Sequence, residues 1–175
     1  MLTTVLLLIV VILFSALFSG MEIAFVSSNR LLLGIDRNER STTSYVINKF
    51  YANSNNFISS LLVGNNIVLV VYSTFMAKLI HIVAAKMDIP MAEDAVVIEP
   101  LISTLVIIFL GEFTPKSVFK MRPNAFFKAL ILPVYLFYLI LFPIAKFSTA
   151  ISFGILRLVG LKVKEEHNIK SFGKI

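Results

Sequence analysis

The chain contains no cysteine and only two histidines, His81 and His167. Disulfides, thiolate metal sites and cysteine nucleophiles are therefore excluded. The histidines are remote from the acidic motifs, and no H-E-x-x-H spacing occurs, so nothing points to a metalloprotease or to any other enzyme. Charge is scarce as well, at 15% of residues. Against 58% hydrophobic residues and a mean hydropathy of +0.89, this leaves too little polar surface to solvate a soluble domain of 175 residues. The composition is that of a membrane protein. A net charge of +6 could suggest nucleic acid, but the basic residues lie mainly between and after the apolar segments. They suit a lipid headgroup surface, and no nucleic-acid partner is expected.

What is present is a series of long apolar runs. Between Met1 and Arg30 the only charged side chain is Glu22, and a helix needs roughly 20 apolar residues to cross a bilayer. Residues 2–26 are read as the first span. A cleaved signal peptide would open with Lys or Arg and close on a small-residue cleavage site, and neither feature is found. Residues 57–77 form the second span, introduced by the polar cluster Asn53-Ser54-Asn55-Asn56. The third, 95–118, is bounded by Glu99 and Pro100 at one end and by Glu112 and Pro115 at the other, so Glu112 must be protected from lipid. Amphipathic helices on the membrane face are expected over 30–51. Residues 126–161 are apolar but interrupted by Pro133, Pro143, Lys146 and Arg157. They are read as interfacial or re-entrant.

Loop charges orient the spans, because basic loops stay in the cytoplasm. The first connection carries Arg30, Arg37, Arg40 and Lys49 against Asp36 and Glu39, and the region after the third span carries Lys116, Lys120, Arg122 and Lys128 with no acid. The second connection and its flanks set Asp88, Glu93, Asp94 and Glu99 against Lys78 and Lys86. The pattern predicts an all-α integral membrane protein with three spans, an external N-terminus and a cytoplasmic basic tail.

Polar residues within the spans fall on lines at about 100° per residue. Ser15, Ser19 and Glu22 share one face of the first helix; Ser59, Asn66 and Ser73 share one face of the second; Thr104 and Gly111 align on the third, with Glu112 alongside. An acid at membrane depth marks a functional site. In a continuous helix Pro115 would have no N–H for the Gly111 carbonyl, leaving that oxygen beside the Glu112 carboxylate. Carboxylate, carbonyl and hydroxyl oxygens are the ligands of hard cations. Interruption around Gly111 and Pro115 also offers a hinge, with Pro115 its structural element. Two plainer readings compete: serines that only pack helices together, and an i to i+4 ion pair between Glu112 and Lys116.

Three stretches carry a family resemblance: Phe18-Ser19-Gly20-Met21-Glu22-Ile23-Ala24-Phe25, Leu62-Val63-Gly64-Asn65-Asn66, and Gly111-Glu112-Phe113-Thr114-Pro115-Lys116. Each lies on its own span, and in this order they resemble the signature motifs of the CNNM/CorC transmembrane domain, over residues 1–161. The resemblance implies transport of Mg2+ as export coupled to Na+, by a homodimer in the inner (plasma) membrane with a juxtamembrane helical belt. It implies that the ion is held by Ser19, Asn66, Gly111 and Glu112, with Ser15, Glu22 and Asn65 in support. One departure is evident: the family commonly has Ser-Glu-Thr where this chain has Met21-Glu22-Ile23. A thioether is a poor magnesium ligand. Family members continue into paired cytosolic CBS modules that bind adenine nucleotides, and residues 162–175 read as a linker towards such modules. The rival reading, from another class, is a divalent-ion sensor or scaffold that binds without transporting.

Overall fold

The computed structural model describes residues 1–28, 42–87 and 95–158. Its helices are α1 (Leu2–Ser27), α2 (Thr42–Ala52), α3 (Ser54–Lys86), α4 (Ala95–Ile107), α5 (Thr114–Met121) and α6 (Pro123–Leu158). A π turn, Ile108–Phe113, joins α4 to α5. Among the described residues there is no strand, so the all-α membrane class stands. The linker 162–175 and the first part of the belt expected from residue 30 lie outside the described residues.

Helix α1 forms the centre, packed by α3, α5, α6 and the π turn. Its buried residues include Thr4, Leu8, Ser15 and Ser19, spaced by four or seven along one face, and Phe18, Met21 and Phe25, spaced by three and four along another, so its second half is packed on more than one side. Ser28 ends it by turning extended, and its hydroxyl caps the Phe25 carbonyl at 2.8 Å. At this end an aromatic cluster gathers Phe25, Phe50, Phe57, Phe127 and Tyr138. The Phe50 and Phe57 rings stack at 3.8 Å. Helix α2 is pinned there, since Lys49 Nζ donates to the Tyr135 hydroxyl of α6 at 2.9 Å. Asn53 interrupts the chain between α2 and α3, where the polar cluster predicted a helix start.

Among the described residues four helices, where three spans were expected, are long and apolar enough to cross a membrane: Leu2–Ser27, Ser54–Lys86, Val97–Met121 and Pro123–Ser148. The segment expected to be interfacial or re-entrant forms one 36-residue helix, α6, running through Pro133 and Pro143 and packed along α1, α2 and α3. Helix-breaking prolines are tolerated where neighbouring helices and local adjustments satisfy the freed backbone groups. The second helix also exceeds its expected limits, continuing past Lys78 to Lys86. Lysine stems can run along the apolar surface while the ammonium reaches the interface.

A candidate cation site between three helices

The third helix changes its winding where its sequence turns polar. Over Ile108–Phe113 the backbone adopts π geometry, with the Thr114 N–H donating to the Phe109 carbonyl five residues back. Pro115, lacking an N–H, sits in the first turn of α5, where a missing donor costs least. The wider π turn also breaks the line anticipated between Thr104 and Gly111. Thr104 is exposed, and the buried positions are Ile107, Gly111 and Pro115, four residues apart.

That inward line brings the Gly111 carbonyl towards α1. Ser15 Oγ lies 3.4 Å from Gly111 O and 2.9 Å from Asn65 Oδ1, so α1, α3 and the π turn each supply one oxygen to a single point. A hydroxyl has one proton. The shorter contact takes it, and the Gly111 carbonyl remains an acceptor at the edge of hydrogen-bonding range. Glycine suits this approach: a β-carbon on residue 111 would meet Ile107 Cδ1 at 2.6 Å and Ser15 Oγ at 2.9 Å, so one or both side chains would have to shift.

One turn further along α1, Ser19 is 1% exposed and its Oγ has no hydrogen-bond partner. A buried hydroxyl without a partner carries a desolvation penalty of about 1–3 kcal/mol, which a bound ion or its water would remove. Glu112, adjacent to Gly111 and half-buried, has no ion pair or hydrogen bond among the described residues. Lys116 does not take the i to i+4 pairing with it. Its Nζ lies instead 3.7 Å from Glu22 Oε2 of α1.

The seven candidate residues therefore separate. Ser15 contacts both Asn65 and Gly111; Ser19 is buried one turn away; Glu112 is adjacent to Gly111 in sequence; Glu22 belongs to an ion pair beyond Ser19. Asn66 is not brought to the cluster. It is exposed, as is Ser73 on the same line, while the packed line of α3 runs through Leu61, Gly64, Asn65 and Tyr72. Sequence alone did not separate the two: Asn66 belongs to the serine line and Asn65 to a line that includes Tyr72, and in a membrane helix an apolar line can face lipid as readily as protein.

A family model, the cyclin M transmembrane N-terminal domain, matches residues 6–171. The chain belongs to the CNNM family. Two chloroplastic DUF21 domain-containing proteins of Arabidopsis thaliana, DUF21 being this same domain, are 27% and 26% identical to it over 110 residues. Each match covers 63% of this chain and 16% of the relative, so the chain spans only a minor part of the curated relatives it matches. The CNNM family is one of membrane transporters, linked in general to divalent-cation movement and not to enzymatic chemistry. Within this CNNM domain the Met21 departure falls outside the oxygen cluster. Met21 is fully buried in the aromatic core, and at about 100° per residue it is turned roughly 120° from Ser15. Ile23, half-buried, lies roughly 80° to the other side.

Proposed function

We propose that this domain binds and transports a divalent cation, Mg2+ in the first instance, at the point where Ser15, Asn65 and Gly111 meet. One observation carries the reading: oxygens from three helices converge with a single hydroxyl proton among them, next to a carboxylate, Glu112, that has no cationic partner among the described residues. An acceptor-rich, negatively charged spot suits a hard cation. Ser19 is the fourth oxygen within one helical turn, and Asn66 enters only if α3 rotates.

Mg2+ sheds its water reluctantly and demands near-octahedral ligands at about 2.0–2.1 Å. The 2.9 and 3.4 Å separations among the cluster oxygens are of the size expected between neighbouring ligands of such a sphere, for which edges of about 2.9 Å follow from that radius. Little movement is then needed to exchange water for protein oxygen. The π turn and Pro115 would act as the hinge that alternately exposes the site, as broken helices do in other transporters. Export, exchange for Na+, assembly as a homodimer, an external N-terminus in the plasma membrane and control by CBS modules are further parts of this proposal, supported by family membership.

The test is Mg2+-dependent thermal stabilisation and flux in liposomes, for the wild type and Glu112→Gln. Loss of both in the variant supports the reading. Unchanged Mg2+ stabilisation in Glu112→Gln would sink it. Saturable binding with no net flux in the wild type would replace transport with sensing.

A further inference from the structure

The motif that carries Gly111 and Glu112 also carries a positive side chain, Lys116. Lys116 leaves the first turn of α5, directly after the π turn, and reaches across to Glu22 of α1. Their separation of 3.7 Å exceeds the 2.7–2.9 Å or so of a charge-assisted hydrogen bond. This is a charge pair without a locking bond. Both side chains keep partial access to the surroundings, Lys116 at 41% and Glu22 at 27% exposure, so neither is sealed in place.

The backbones beneath them are held. Gly20 lets the ring of Phe119 press against α1, and a β-carbon there would stand 2.8 Å from three atoms of that ring. Helices α1 and α5 are thus fixed in close contact two residues before Glu22 and three after Lys116, while the pair itself is loose. Along α1, Glu22 lies on the line of Ser15 and Ser19, roughly 10 Å from Ser15 at 1.5 Å per residue. At that distance a unit charge still acts on a divalent ion, since screening extends over about 8–10 Å only where solvent is free.

We infer that Lys116 is a built-in counter-cation for the proposed site: it neutralises Glu22, and so holds divalent-cation binding weak enough for release. This rests on the cation-binding reading above. With Lys116 in place, Glu112 is the one acid of the motif whose charge is uncompensated among the described residues. Without it, the charges of Glu22 and Glu112 both stand uncompensated beside the site. Affinity then rises, and so does retention, because conduction needs a site that the ion can leave.

The experiment is calorimetric titration of the purified domain with MgCl2, paired with liposome flux. Lys116→Gln should bind Mg2+ on the order of tenfold more tightly than wild type and transport it more slowly, whereas Lys116→Arg should match wild type. Glu22→Gln/Lys116→Gln removes both charges, keeps the local sum at zero, and should return to wild-type affinity. This double variant also decides the matter if Lys116→Gln does not fold. Equal or weaker Mg2+ binding by Lys116→Gln overturns the inference but leaves the site standing, as does a double variant that binds far more weakly, because Glu22 is then a ligand. Absence of saturable Mg2+ binding in the wild type overturns the site itself and this inference with it.

Discussion

Ser15 of α1 and Asn65 of α3 share a 2.9 Å hydrogen bond fifty residues apart in sequence, with the Gly111 carbonyl 3.4 Å from the same hydroxyl. If the site is built on this contact, Asn65→Ala should reduce Mg2+-dependent stabilisation strongly, on the order of tenfold in affinity, and Asn66→Ala much less. Each good ligand or hydrogen bond to charge contributes about 1.5–3 kcal/mol. Titrating both variants in parallel by thermal shift checks the order. The reverse order would move the site to the exposed line of α3.

Gly111→Ala places a methyl group 2.6 Å from Ile107 Cδ1 and 2.9 Å from Ser15 Oγ. Overpacking of this kind costs about 1–3 kcal/mol. Adding Ile107→Val removes the Cδ1 atom and should restore much of the melting temperature. Mg2+ binding should stay impaired, because the contact with Ser15 is not relieved. Recovery of both properties together would show that the glycine serves packing alone.

Met21→Ser brings back the family's usual hydroxyl. The Met21 side chain is wholly buried in the aromatic core, so the variant should lose at least the about 2–5 kcal/mol typical of Met→Ala in a core. No gain in Mg2+ affinity is expected. A tighter site in Met21→Ser would mean that this face of α1 reaches the ion after all.

The Lys49–Tyr135 contact predicts a pH dependence. Its hydrogen bond to the Tyr135 hydroxyl holds the Lys49 ammonium above the ordinary value of 10.5, against a smaller opposing effect of burial. A pKa raised on folding means stability present in full below 10.5 and lost as pH climbs through the folded-state value. Wild type should therefore exceed Lys49→Met in melting temperature near neutral pH, by an amount that shrinks above pH 10.5. A gap that is flat across the alkaline range would assign the effect to the lysine stem, and no gap at neutral pH would remove the pairing from the account of how α2 is anchored.

Much of this architecture is legible in the linear chain. Apolar runs longer than a bilayer is thick had to become helices that satisfy their own backbone groups, and the isolated acids Glu22 and Glu112 marked where polarity had to be shielded. The polar cluster at Asn53 gave the break before α3. In residues 126–161, Pro133 and Pro143 read as interruptions, whereas α6 continues through both against its packed neighbours.

The candidate site was legible as a set of residue types and not as a set of contacts. Helical periodicity placed Ser15, Ser19 and Glu22 on one face, and the structure keeps that line. It could not choose between Asn65 and Asn66, which differ by only about 100° on a helix whose partner was unknown. Nor could it foresee the π turn, which moves the third helix out of α register and turns Gly111 towards Ser15. Lys116 followed the same rule: a one-turn partner, Glu112, stood nearest in sequence, yet close packing at Gly20 and Phe119 delivered it to Glu22. Membrane insertion and helix formation are properties of local composition, so the sequence by itself determined them. Which polar atoms meet depends on helix rotation and approach, and that only the tertiary packing of small residues against rings could decide.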